Sequence, residues 1–199
     1  MKAAPTLSVV PSAGLLLLVF FVIGGLAQQQ TTFGSEMEID RKEKIPPSFI
    51  QLLDKSDRRQ LNKCQHNVDY PELRKSNLLD HFLVSALSVR NVKSRLDLLV
   101  VQANSICFWG AHNTKFWILS KEKSESAKNY KKIFEGQMDG LNISDRTSQI
   151  YPNLEIMNHT AIEFYKSTLR YSGGRYKVQS CYVENMGDDS PNRPKMKVQ

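Results

Sequence analysis

Hydrophobic and polar residues alternate in two runs within residues 160–184, and Ser172-Gly173-Gly174-Arg175 separates these runs. Glycine takes the positive φ of a tight turn without strain, so the pattern predicts an antiparallel β-hairpin. Counting outward from the glycines pairs Tyr171 with Tyr176, Leu169 with Val178, Ser167 with Ser180 and Tyr165 with Tyr182, and puts all eight side chains on one face. An isolated hairpin is barely stable in water, so other elements must cover this face. We expect it to line a ligand pocket, with a filled core as the alternative.

Elsewhere the spacing of apolar residues favours helices, with Asn77 and Asn91 as candidate N-caps. Four segments share this spacing: residues 48–62, 77–87, 91–99 and 121–134. Three shorter apolar runs predict strands at residues 105–109, 115–119 and, less regularly, 149–157.

Together these elements predict an α+β fold, in which a curved, mostly antiparallel sheet packs on two to three helices. The chain divides into five consecutive parts: a signal peptide (1–27), a flexible leader (28–47), a partly helical N-terminal extension (48–75), the α+β domain (76–186) and a disordered tail (187–199). The domain is long enough to bury a core of its own.

The first 27 residues have the organisation of a secretory signal. Lys2 precedes an apolar run at residues 14–25, and Gly25 and Ala27 supply the small residues of a cleavage site. The run is shorter than the about 20 apolar residues of a membrane span, and no later stretch is apolar enough. We therefore expect a secreted, extracellular protein without a membrane span, with an uncleaved signal anchor as the alternative.

The charge balance argues against a nucleic-acid partner. The whole chain has a net charge of +7, and removing residues 1–27 takes away only Lys2. The remaining surplus is spread over three segments without an Arg-rich block or interleaved aromatic residues. A solvated basic face is therefore favoured over a nucleic-acid groove.

Three cysteines, Cys64, Cys107 and Cys181, allow at most one internal disulfide, and the sequence leaves all three pairings open. Asn142 and Asn158 each begin an N-glycosylation sequon. No two cysteines or histidines stand at a chelating interval, so we expect neither a metal site nor a cofactor. The scattered histidines are expected to be surface or satisfied residues: His81, His112 and His159.

The predicted order of helices and strands over residues 76–186 resembles the NTF2-like superfamily, also described as the SnoaL-like or cystatin-like α+β cone. Residues 83–110 look like its opening, and Tyr176-Lys177-Val178 is similar to its closing strand. Small secreted proteins, some of them from nematodes, have this pattern. The resemblance implies a conical pocket, which is catalytic in isomerases and dehydratases and serves binding or dimerisation in other members. Leu83 and Phe108 stand where the ketosteroid-isomerase-like pattern has proton-transferring groups, so we expect no catalytic residue there.

Two functions from different classes remain open. The first is a non-enzymatic domain whose aromatic face binds a small apolar ligand or a protein partner, or forms a homodimer. The second is an enzyme of the isomerase or dehydratase type with Glu163, Glu184 or Asp97 as its base. In that case Glu163 and Glu184 would face each other across the open end of the hairpin. A helical, cytokine-like ligand is a third possibility, and it requires the hairpin segment to be helical.

Overall fold

The computed structural model describes residues 30–34, 39, 43–87, 96–104, 106–108, 113–122, 130–144, 150–185 and 196–198. The predicted signal peptide lies outside these ranges, as does most of the predicted tail. Two short strands, at residues 30–34 and 196–198, fall in the segments predicted to be a flexible leader and a disordered tail. Both strands add to a sheet, which gives these segments backbone partners that the sequence alone did not reveal.

The described residues form ten strands, which are β1 (Gln30–Gly34), β2 (Phe82–Leu87), β3 (Leu96–Ala103), β4 (Thr114–Glu122), β5 (Lys131–Met138), β6 (Gly140–Ser144), β7 (Leu154–His159), β8 (Glu163–Ser172), β9 (Arg175–Asn185) and β10 (Met196–Val198). The α-helices are α1 (Phe49–Leu52) and α2 (Lys55–Gln65), and short 3₁₀ helices cover Pro71–Lys75, Leu78–His81 and Ile106–Phe108. All strand pairs are antiparallel. They make a six-stranded sheet in the order β1-β6-β7-β8-β9-β10 and a four-stranded sheet in the order β2-β3-β4-β5.

The four-stranded sheet is the middle of three layers. On β4, Trp117 and Leu119 point towards Phe49 of α1 and the rest of the helical layer. Phe116 and Ile118 point the other way, into the core shared with the six-stranded sheet. All four of these side chains are fully buried, because successive residues of a strand face opposite sides. The sheet therefore supports two hydrophobic cores at once.

The predicted α+β class is wrong, because most of the predicted helices are strands. Residues 82–87 form β2 and residues 96–103 form β3. The predicted cap is confirmed, because the Asn77 side chain accepts a hydrogen bond from the Leu79 N–H at 3.0 Å in the 3₁₀ turn before β2. A strand buried on both faces shows no alternation of polar and apolar residues, and a short apolar run fits a helical as well as a strand periodicity. Pairing between β2, β3 and β4 decides in favour of the sheet.

Two other predicted elements also differ. The predicted helix at residues 121–134 ends in β5, with residues 123–129 outside the described ranges, and the predicted strand at 105–109 contains a 3₁₀ turn at Ile106–Phe108. The helical piece at 48–62 is confirmed by α1 and α2, and the strands predicted at 115–119 and 149–157 correspond to β4 and β7.

The hairpin at residues 163–185 is confirmed, but its register shifts part way along. Gly173 and Gly174 have φ of 61° and 84°, and Tyr171 pairs with Tyr176 as expected. Between Thr168 and Leu169 a bulge leaves Gln179 as an extra residue in β9. Beyond it Ser167 faces Cys181 and Tyr165 faces Val183, so the predicted pairs Ser167–Ser180 and Tyr165–Tyr182 are wrong. One extra residue reverses the face of every later side chain of β9.

Helix α2 is fixed to the four-stranded sheet by a buried carboxylate and a disulfide. Asp57 is 2% exposed, accepts from the indole N–H of Trp117 at 3.3 Å and forms an ion pair with Lys115. Cys64 is bonded to Cys107, and the Gln60 side chain donates to the Cys107 carbonyl at 2.6 Å. The pairing left open by the sequence is therefore Cys64–Cys107, with Cys181 a free thiol.

Replacing Asp57 with Ala is expected to lower the free energy of unfolding by about 3 kcal/mol, because it leaves the Lys115 ammonium without its buried counter-ion. Urea unfolding measures the change. Asp69→Ala, at an exposed aspartate, is the matched control and should stay within about 0.5 kcal/mol of the parent. Equal losses in the two variants would show that the Asp57–Lys115 pair does not hold the helical layer.

His81 predicts how stability depends on pH. Its ring is buried, with Nε2 3.0 Å from the Ser76 hydroxyl, and burial lowers its pKa from the ordinary 6.5, partly opposed by Asp80. The unfolded chain therefore binds a proton below pH 6.5 that the folded chain does not yet bind. The stabilisation is present above that pH and is lost as the pH falls towards the lowered pKa.

Urea unfolding at pH 7.5 and 5.5 should accordingly show a loss of stability that is smaller in the His81→Gln variant. His66→Gln, at the exposed histidine that follows α2, should keep the parent's full pH dependence. An unchanged pH dependence in His81→Gln would contradict the assignment.

Candidate functional site

A groove opens where the edge of the four-stranded sheet lies over the inner face of the six-stranded sheet. The chain crosses between the sheets at Asp139, the one residue between β5 and β6. The groove has a volume of about 470 Å³. Its apolar lining comes from β5, β7, β8 and β9 and includes Phe134, Met138, Ile156, Leu169, Tyr176 and Val178.

Aromatic rings form one wall of the groove. The Tyr176 ring lies edge-on to Phe134, with centroids 5.7 Å apart, and to Tyr171 at 5.3 Å. Its hydroxyl donates to the Pro152 carbonyl at 2.8 Å, and burial raises its pKa well above the usual range. A phenol held in this way presents a fixed apolar ring and stays protonated, so the wall is rigid and uncharged.

Strand β5 forms the opposite wall along its free edge. Residues 133–138 all line the groove, and in the described part of the chain β5 pairs with β4 alone. Gly136 lies at its middle, where a Cβ atom would come within 2.7 Å of Met138 Cε and 3.1 Å of Phe134 Cζ. A side chain at this position would have to displace one of the two that form the wall.

Polar and charged residues contribute five of the thirteen residues that line the groove. Ser167 has a hydroxyl, Gln137 and Asn158 have amides, and the charged residues are Glu135 and Arg175. Glu135 accepts from the Lys132 ammonium at 2.6 Å, so its charge is balanced within β5. Among the described residues no ion pair involves Arg175, whose side chain is exposed.

A second cavity, of about 420 Å³, lies on the outer face of the six-stranded sheet. Its lining is polar at one side, where Lys166 and Glu155 form an ion pair of 2.7 Å. The Asn142 amide also donates to Glu155, at 2.9 Å, whereas the buried Asn142 Oδ1 accepts no hydrogen bond from the described residues. Phe164 and Tyr182 add aromatic surface.

The bulge distributes the eight predicted pocket residues over both faces. Ser167, Leu169, Tyr176 and Val178 line the inner groove, whereas Ser180 and Tyr182 line the outer cavity. Tyr171 packs against Tyr151 and Tyr176, and Tyr165 donates to Glu163, which raises the pKa of the Tyr165 phenol. Neither lines either cavity. The prediction of one pocket with all eight side chains is therefore wrong.

Sequence reasoning missed the contributions of β5 and β7. Phe134, Gly136 and Met138 alternate with Ile133, Glu135 and Gln137, which is a strand pattern, but the helical interpretation of residues 121–134 hid it. Ile156 belongs to the strand predicted at residues 149–157, and its place in the groove follows from pairing with Ser167.

The candidate bases do not meet in one site. Glu163 pairs with Asn185, and Glu184 pairs with Phe164, so the two carboxylates are not opposite each other as expected. Asp97 lies 3.6 Å from the Lys121 ammonium on the neighbouring strand. Glu184 lines the outer cavity, whereas Glu163 and Asp97 line neither cavity.

Three other carboxylates, Asp54, Asp57 and Glu135, bring one oxygen each within 4.8 Å of one another. Each has a partner already. Lys115 binds Asp57 and Lys132 binds Glu135, while Asp54 accepts from the Asp57 N–H at 2.7 Å as the cap of α2. The two lysines thus supply the positive charge that a cation would bring.

The two sequons occupy different places. Asn142 lies in β6 between β1 and β7, with Ile143 and Ser144 buried. Asn158 lies at the end of β7 and lines the inner groove, followed by exposed His159 and Thr160. Glycosylation at either site stays a prediction, and a sugar on Asn158 would extend from the groove wall.

None of the protein-family models matches the chain, and no match was found among the curated proteins or the solved structures. The NTF2-like resemblance has no support from these comparisons, and the two-sheet architecture contradicts the cone that it implied. Within the described ranges no helix combines the length and the apolar content that crossing a bilayer requires.

Replacing Tyr176 with Phe is expected to destabilise the protein by about 1 to 2 kcal/mol, because the partly enclosed Pro152 carbonyl loses its donor. Urea unfolding provides the measurement. Tyr182→Phe is the matched control on the outer face and should cost less than about 0.5 kcal/mol. Similar losses in both variants would contradict the role given to the Tyr176 hydroxyl.

Proposed function

We propose that the protein is a secreted, non-enzymatic binding domain whose inner groove takes up a small apolar ligand. The observation that carries the proposal is the open apolar groove between β5 and strands β7–β9. Its volume lies within the roughly 300–1,000 Å³ typical of small-molecule sites. Seven of its thirteen lining residues are apolar or aromatic, and five are polar or charged.

Exposed apolar surface in the groove supports a binding function over a purely structural role. Val178 is 60% exposed, although the other apolar residues that line the groove belong to the core between the sheets or pack against it. Leaving such surface in contact with water is unfavourable, and a ligand that covers it gains about 25 cal/mol for each Å² removed from water. The aromatic wall around Tyr176 is already held in place, so little ordering is needed on binding.

Export is supported by the disulfide as well as by the first 27 residues. Disulfides persist in oxidising compartments and are rare in a reducing cytosol, and Cys64–Cys107 joins α2 to the turn after β3. A bound protein or a second copy of the chain could cover the same surface. The isomerase-type alternative has less support, because Glu135, the one carboxylate that lines the groove, is paired with Lys132.

Replacing Val178 with Asp is expected to weaken uptake of a neutral apolar fluorescent probe at least about tenfold, because the ligand would have to desolvate a carboxylate. Fluorescence titration measures the affinity. The substitution itself should cost little stability, since Val178 is mostly exposed. Val68→Asp, at a valine that is 76% exposed and does not line the groove, is the matched control and should bind like the parent.

Equal probe affinity in Val178→Asp and Val68→Asp would exclude the groove as the binding site. Sedimentation of the parent and of Val178→Asp tests the alternative that a second copy of the chain covers this surface. A dimer that dissociates in Val178→Asp would show that a second copy of the chain, rather than a small ligand, covers this surface.

A further inference from the structure

We propose that the ligand is an amphiphilic anion, with an apolar body in the groove and a carboxylate held by Arg175. This inference rests on the proposed function and deepens it. It names the chemical class of the ligand and the residue that selects it.

The charge on the groove wall carries the argument. Two charged residues, Glu135 and Arg175, are among those that line the groove. The Glu135 carboxylate is on the helical side of β5, within 4.8 Å of carboxylate oxygens of Asp54 and Asp57, and it pairs with the Lys132 ammonium at 2.6 Å. Arg175 remains as a positive charge without an ion pair among the described residues. A neutral acceptor would form only a weaker hydrogen bond with this guanidinium, and a cationic ligand would be repelled. An anionic group is the complement of this wall.

The position of Arg175 suits a head group. It directly follows the turn at Gly173 and Gly174 and directly precedes Tyr176, whose ring forms the apolar wall. Its backbone pairs with Ser172, so the base of the side chain is fixed while its end is exposed. A ligand lying along the groove can thus bury its apolar body against Tyr176 and keep its acid group at the wet end.

Arginine is well suited to this role. Its planar guanidinium donates two parallel hydrogen bonds to a carboxylate, and it stays charged at every physiological pH. Lysine has a positive charge but lacks the two parallel donors. Arg175→Lys should therefore retain part of the preference for an acid, whereas Arg175→Gln should remove it.

The experiment uses dodecanoate and its methyl ester as probes, with binding followed by displacement of the neutral apolar probe. For the parent protein we expect dodecanoate to bind about three- to fivefold more tightly than the ester, the gain typical of an exposed ion pair. In Arg175→Gln the acid should bind no more tightly than the ester. Arg74→Gln, at an exposed arginine outside the groove lining, should behave like the parent.

The outcomes separate the two proposals. Equal affinities of acid and ester in the parent would overturn the role of Arg175 and leave the groove as a neutral site. Failure of both probes to bind would overturn the proposed function as well. An acid preference that survives in Arg175→Gln would also overturn this assignment, since another cation would then hold the carboxylate. Added salt should reduce the preference in the parent and leave the ester's affinity unchanged.

Discussion

The burial of β3 and β4 on both faces is the constraint on which the rest of the structure depends. Trp117 and Leu119 complete the core under the helices, and Phe116 and Ile118 complete the core between the sheets. A polar group that packs against the buried part of these strands needs a partner. Asp57 of α2 has two, because the Trp117 indole and the Lys115 ammonium satisfy its carboxylate. The four-stranded sheet therefore positions the helical layer on one side and the groove on the other.

The groove exists because the two sheets diverge after a shared turn. Asp139 links β5 to β6, and Gly140 packs so closely that an added Cβ would lie 2.6 Å from Met157 Cε. From this tight junction β5 runs back along the four-stranded sheet with its outer edge unpaired among the described residues. Sheet edges usually are covered or blocked. Here the edge borders the groove instead, and the proposed binding function rests on this surface.

The bulge in the hairpin decides the chemistry of that groove. If Gln179 paired with Thr168 instead of bulging, Ser180 and Tyr182 would join Leu169 on the inner face. With the bulge, Tyr182 joins the outer cavity beside the Lys166–Glu155 pair. Val178 is then the last apolar residue of β9 before the shift, and it stays exposed in the groove. A local irregularity of one residue thus separates an apolar inner site from a polar outer one.

Local rules of the sequence determined the hairpin turn, the cap at Asn77 and the helical segment at residues 48–62, because each depends on neighbours within a few positions. They also predicted the correct strand pairing in the half of the hairpin nearest the turn, which includes Leu169, Tyr176 and Val178 of the groove. The strands at residues 82–87 and 96–103 were decided by tertiary structure, since a short apolar run buried on both sides has no period of its own. Long-range packing likewise selected the Cys64–Cys107 bond, the bulge at Gln179 and the meeting of β5 with the hairpin. These features depend on which distant surfaces come together, and local sequence patterns do not determine such long-range contacts.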